Sequence, residues 1–113
     1  NMKARLPAGY GKQNINQLMQ QAQKVQEIMK EKQAELEATN YDVTSGGGMV
    51  QLTMNGKHEV VSIKINPDVV QPDDIEMLED LVAAAVNEAV RVVDEASENE
   101  MNAITGGLNI PGL

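Results

Sequence analysis

Few side chains in this 113-residue sequence have the chemistry for catalysis. Histidine occurs once, at His58, beside an Asn55-Gly56 turn signal and among polar neighbours, which reads as an ordinary surface histidine. Cysteine is absent, which excludes thiol nucleophiles, disulfides and cysteine-held metals. No Ser stands in a Gly-x-Ser-x-Gly elbow. Gly46-Gly47-Gly48 is followed by neither Gly-Lys-Ser/Thr nor a helical pattern, so it is not a phosphate loop. Asp68, Asp73 and Asp74 could be taken for a Mg²⁺ site. Their place at a helix start already gives them a capping and dipole role, and no phosphate-binding motif accompanies them. The sequence predicts a protein that is not an enzyme and carries no cofactor or metal.

Binding is the remaining chemistry, and charge is its first measure. The net charge of −8 is unevenly spread: residues 1–64 hold eight Lys/Arg and six Asp/Glu, residues 65–113 one Arg and eleven Asp/Glu. By composition alone this is a poor partner for nucleic acid. The bases nevertheless gather in one half. Lys12, Lys24, Lys30 and Lys32 lie in or beside a segment rich in glutamine (Gln13, Gln17, Gln20, Gln21, Gln23). They do not fall on one ribbon: Lys12 and Lys30 share a flank, Lys24 lies nearly opposite the apolar stripe, and Lys32 sits at its other edge. Two readings stand, a solvated face or a set of phosphate contacts bracketing a duplex through Gln20 and Gln23. Lys3 and Arg5 allow the same pair of readings, as a solvated tail or a phosphate-contacting arm. Arg91 has Glu88 three residues before it and Asp94 and Glu95 just after, so a helix-surface ion-pair cluster is favoured over a DNA contact.

The elements that must position these groups are legible from periodicity. Residues 1–12 have no regular period and read as a flexible arm. From Asn14, a plausible cap, to about Glu37 the apolar residues Ile15, Leu18, Ala22, Val25, Met29 and Leu36 recur at helical spacing. Asn40 marks the exit. Tyr41–Ser45 reads as a strand with Tyr41 and Val43 on one face, and the glycine run turns it into a second strand with Val50, Leu52 and Met54 on one face. After Asn55-Gly56, Val61, Ile63 and Ile65 alternate in a third strand that Pro67 ends. A turn centred on Gly56-Lys57 sets Val50 opposite Ile63 and Leu52 opposite Val61. One centred on Asn55-Gly56 sets Leu52 opposite Glu59, and cross-strand packing favours the former. A second helix begins with Asp73 as N-cap and Glu76 three residues on. It carries the broad stripe Ile75, Leu78, Leu81, Val82, Ala85, Val86, Ala89, Val92, Val93 and Ala96, and stops at Thr105-Gly106-Gly107. The expected fold is α+β: one domain over residues 13–105, a three-stranded antiparallel meander with two long flanking helices, and a flexible tail over 106–113. No signal peptide or apolar run of membrane-spanning length is present, which predicts a soluble, intracellular protein without membrane contact.

Length argues for a second copy. Strands of five to seven residues reach roughly 17–24 Å, whereas the two helices reach roughly 35 and 45 Å. Their apolar stripes continue to the ends, and an overhang left in water is a patch that monomers avoid. A three-stranded sheet also has two open edges. Ile15, Leu18, Leu81, Val82, Val86, Val92 and Val93 are the residues expected at a twofold interface.

Several motifs, taken together, resemble one family. They are the SGGG turn at Ser45–Gly48, the Asn55-Gly56 turn, the Ile-x-Pro-Asp step at Ile65–Asp68 and the LEDLVAAAxNxA run at Leu78–Ala89, with a Pro-Gly ending at Pro111-Gly112. Over about Ile15–Ala103 the chain is similar to the YbaB/EbfC family of bacterial nucleoid-associated proteins. The resemblance implies an α-β-β-β-α protomer and a tweezer-like homodimer whose helices clasp double-stranded DNA with low sequence specificity. It also implies a non-enzymatic role at the nucleoid in the cytoplasm. The second helix departs from the family in carrying a single base, Arg91, which shifts the expected DNA contacts toward the first helix. The rival reading is an adaptor whose acidic second helix recruits a recombination or replication protein. A third is a small-ligand carrier using the cleft between the helices.

Overall fold

Three consecutive glycines make the first reversal of the chain. In the computed structural model, which describes residues 10–108 and their side chains from 14 to 106, Gly46, Gly47 and Gly48 all have positive φ (60°, 67° and 95°). A side chain there would meet its own carbonyl, so only glycine takes this path without strain. The reversal is a short 3-10 turn that joins β1 (Asn40–Ser45) to β2 (Val50–Asn55). Ser45 donates its hydroxyl to the Leu81 carbonyl at 2.6 Å and ties the end of β1 to the second helix.

The element order is α1 (Tyr10–Ala38), β1, β2, β3 (Val60–Ile65) and α2 (Ile75–Leu108), with the 3-10 turn Pro67–Val69 before α2. The sheet is antiparallel in the order β1-β2-β3, the meander expected from the alternation. Val43 pairs with Leu52, Tyr41 with Met54 and Ser45 with Val50. α2 lies on the face these residues share. Ala85 and Ala89 are fully buried there, and their small side chains let the helix approach Val43, Val50, Leu52 and Met54 closely. Leu81, Val86, Val90 and Val92 pack around that core, and Val93 belongs to it.

The β2–β3 register differs from both expected alternatives. Val50 faces Ile65, Leu52 faces Ile63, and a bulge past Thr53 sets Met54 opposite Val60. The cause lies in the turn. Asn55 and Glu59 close a three-residue loop through the Asn55 N–H to Glu59 carbonyl bond of 3.0 Å, and the Asn55 carbonyl accepts from His58 N–H at 3.0 Å. The residue with positive φ is His58 at 63°, not Gly56. This is the longer hairpin, in which a turn is followed by a left-handed residue and a bulge.

Helix ends also moved. α1 starts at Tyr10, so Asn14 lies inside it rather than capping it; glutamine and lysine propagate a helix well and Asn only weakly opposes one. Asn40 opens β1 rather than standing outside regular structure. α2 is capped by Asp74, whose carboxylate accepts from Met77 N–H at 3.1 Å, one residue later than expected. A turn bond from Asp74 N–H to the Gln71 carbonyl fixes that position. Its other end runs through Gly106 to Leu108, because glycine weakens a helix by about 1 kcal/mol but, unlike proline, keeps the N–H that the ladder uses. The link after Pro67 is a regular 3-10 turn in which Asn66 accepts from Asp68 N–H at 2.9 Å. The chain divides into two units between Lys32 and Gln33, inside α1.

Candidate nucleic-acid interface

α1 as a helix sorts its own side chains by azimuth. At about 100° per residue, Lys24 and Lys30 stand roughly 120° apart, with Gln20, Gln23 and Glu27 between them. All five are exposed. The apolar stripe Ile15, Leu18 and Met29 runs along the other side of the helix and is exposed too, Ile15 at 57% and Leu18 at 63%. Lys32 is half-buried at the edge of that stripe. α1 therefore carries a polar face on which Gln20 and Gln23 amides sit with the Glu27 and Glu31 carboxylates between two ammonium groups; the amides and ammonium groups can contact phosphate and sugar oxygens without reading bases. Lys12 falls within α1 but its side chain lies outside the described residues, and Lys3 and Arg5 lie outside them altogether.

Arg91 on α2 is engaged by its own helix. Its Nε and Nη2 donate to the two Glu88 carboxylate oxygens at 2.8 and 3.0 Å, and Nη1 donates to Glu95 at 2.8 Å. The hydrogen bond to Arg91 holds the Glu88 carboxyl below the usual carboxylate range. The same bond, with the charges of Glu88 and Glu95, pushes the Arg91 guanidinium further up. A phosphate would have to displace two carboxylates to reach it. Asp94, a suggested partner of Arg91, instead meets His58: Nε2 lies 2.7 Å from Oδ1 across 36 positions of sequence. That contact had no local signal in the sequence.

The candidate interface residues divide into three groups. Ile15 and Leu18 are exposed; Leu81, Val82, Val86 and Val92 are half-buried; Val93, at 2%, is enclosed by the chain's own core. β3 adds residues that sequence reasoning did not nominate. Ile63 and Ile65 stand opposite Leu52 and Val50, on the α2 side of the sheet, yet they are 41% and 37% exposed. Val60 and Val61 are exposed as well. α2 packs on β1 and β2 and leaves β3 bare. Among the described residues no group of acidic or histidine side chains could hold a metal ion. Nor is any described helix long and apolar enough to cross a membrane.

Residues 11–108 match the model of the YbaB/EbfC DNA-binding family. A nucleoid-associated protein of Clostridium novyi is 52% identical over 107 residues, covering 95% of this chain and 94% of the relative. One from Thermoanaerobacter pseudethanolicus is 54% identical over 111 residues, covering 98% and 97%. In fold, the chain is similar to an uncharacterized protein from Helicobacter pylori solved by crystallography, with a TM-score of 0.68 at 24% identity, covering 79% of this chain and 94% of that one. With that family's match running from the first helix through the three-stranded meander to the end of the second helix, this chain belongs to the YbaB/EbfC DNA-binding family.

Proposed function

We propose that the chain works as a homodimer that binds double-stranded DNA with low sequence specificity, in the cytoplasm at the nucleoid. The observation that carries this is the polar face of α1. Lys24 and Lys30 bracket exposed Gln20 and Gln23 there, while the one arginine of α2 is held by its own carboxylates. Phosphate contacts come from Lys24, Lys30 and Lys32, with Lys12, Lys3 and Arg5 extending the path; Arg91 contributes only where DNA displaces Glu88 and Glu95. Glutamine amides reach sugar and groove atoms, and such contacts discriminate little between sequences.

What supports a second copy is the apolar surface one chain leaves bare. Ile15 and Leu18 on α1 and Val60, Val61, Ile63 and Ile65 on the edge strand are all in water in the lone protomer. A bare edge strand with an apolar face is a site for pairing. Leu81, Val82, Val86 and Val92 are only partly covered and extend the candidate contact.

Salt-dependent gel shifts test the DNA reading. Binding is expected at ~50 mM salt, falling as a steep power of salt concentration, and lost in Lys24→Glu/Lys30→Glu/Lys32→Glu. The second reading is an adaptor that offers exposed acids of α2, among them Asp80, Glu95 and Glu98, to a recombination or replication protein. A folded dimer that retards no DNA at low salt would favour it.

A further inference from the structure

Gly56 is a glycine that its own turn does not require. It is not among the described residues with positive φ; the left-handed position of the hairpin is filled by His58. The reason for a missing side chain lies elsewhere. A Cβ at position 56 would stand 1.8 Å from the carbonyl oxygen of Leu36, 2.4 Å from its carbonyl carbon and 2.9 Å from Glu37 Cα. All three are backbone atoms of the last turn of α1, which cannot swing aside as a side chain can. In the glycine as it is, a Cα hydrogen points at the Leu36 carbonyl, the arrangement of a weak C–H···O bond.

Both sides of this contact are held stiffly. On the helix side, Thr39 N–H donates to Leu36 O at 3.2 Å and the Thr39 hydroxyl to Glu35 O at 2.6 Å, closing the helix end. On the turn side, Asn55 Oδ1 accepts from the N–H groups of Lys57 and Glu59 at 2.9 and 3.1 Å, and its Nδ2 donates to Glu59 Oε1 at 2.9 Å. His58 then ties the same turn to α2 through Asp94. The β2–β3 turn is thus a braced seat that meets the backbone of the last turn of α1 at Gly56 and reaches α2 with the His58 side chain.

We propose that Gly56 is a positioning residue for DNA binding: the absence of its side chain lets the last turn of α1, residues 33–38, seat against the β2–β3 turn, and the lysine-bearing part of the helix continues from that seated turn. The inference rests on the reading of α1 as the DNA-contacting helix. An alanine at 56 meets no φ penalty, so its effect is steric and falls on the helix end. Neither Gly56 nor Leu36 belongs to the buried cluster of Val43, Val50, Leu52, Met54 and Val93.

The test uses the full chain as a dimer. Because the sequence has no cysteine, spin labels on Gln33→Cys and Gln51→Cys, diluted with unlabelled protein, report the distance from the last turn of α1 to the outer face of the sheet within one protomer. In Gly56→Ala that distance distribution is expected to shift or broaden. DNA affinity should fall about tenfold or more, with a shallower dependence on salt as phosphate contacts are lost. Gly47→Ala is the control. It sits at φ 67° with nothing within 4 Å of the added Cβ, so it strains the backbone but should leave the distance unchanged. Should Gly56→Ala not fold, Asn55→Ala decides the matter, since it removes the bracing of the seat without adding an atom. An unchanged distance distribution in the folded variant overturns the proposal. Wild-type protein that binds no DNA, but whose labels move in Gly56→Ala, leaves the seat standing and removes the DNA reading alone.

Discussion

Arg91 shows how a single cation in an acidic half of the chain is used. It bridges Glu88 and Glu95, three residues before and four after, at the spacing that places side chains over one another on a helix. All three are solvent-exposed, so the cluster is screened and organises the surface more than it stabilises the fold. It still leaves a measurable mark. In an NMR titration the Glu88 carboxyl is expected to titrate below the ordinary glutamate value, and Arg91→Gln should move it back toward that value. The sign for stability follows. A carboxyl whose pKa is lowered in the folded state contributes above its unfolded value, ~4.3, and that contribution is lost as pH falls through the lower folded value. Arg91→Gln should therefore be slightly less stable than wild type at neutral pH, and the two should converge as pH falls below about 4. The ion-pair cluster was legible from residue spacing. The His58–Asp94 contact was not, because nothing local connects a hairpin turn to a helix 36 residues further on.

At the scale of elements, the sheet and α2 were read from periods of two and 3.6, and these are the parts with a buried face to enforce the pattern. Val50, Leu52 and Met54 alternate with exposed or half-exposed neighbours on β2, and Ala85, Ala89 and Val93 follow at four-residue steps on α2. The details that escaped have no such enforcement. The hairpin register depended on which residue took positive φ, and Asn55-Gly56 signals a two-residue turn where His58 in fact makes a three-residue one. The end of α2 escaped because glycine weakens a helix without blocking it. The buried layer carries its own expectation. Leu52→Ala removes a side chain only 2% exposed and should cost about 2–5 kcal/mol in urea denaturation, the range for a cavity in a packed core. Ala89→Leu should cost about 1–3 kcal/mol for the opposite reason, since no space separates α2 from the sheet there. Substitutions at exposed Gln51 on the far face should change stability by less than about 0.5 kcal/mol.

For the whole molecule, the difficulty is a chain of net charge −8 that belongs to a DNA-binding family. Most of that charge lies from residue 65 onward, while α1 balances its four lysines with four glutamates, two of which, Glu27 and Glu31, share the face of Gln20 and Gln23. On the proposed homodimer reading, a near-neutral helix on a repulsive body gains from being doubled, because two helices engaging one duplex raise the effective concentration of the second contact set. The edge strand offers a way to separate the effect of pairing from that of charge. Ile63 is exposed in the single protomer and distant in sequence from every lysine of α1. Ile63→Glu should leave the core of Val43, Val50, Leu52 and Met54 folded, yet ultracentrifugation should find a monomer where the wild type sediments as a dimer. On DNA, the number of phosphates engaged per particle should halve, and the slope of log affinity against log salt, about −0.9 per phosphate on duplex DNA, should halve with it. Lys24→Glu would also flatten that slope, but in a particle that remains a dimer. A monomeric Ile63→Glu that keeps the wild-type slope would mean that one α1 makes all the contacts. A wild type that sediments as a folded monomer at micromolar concentration would mean that the bare face of β3 serves something other than a second copy.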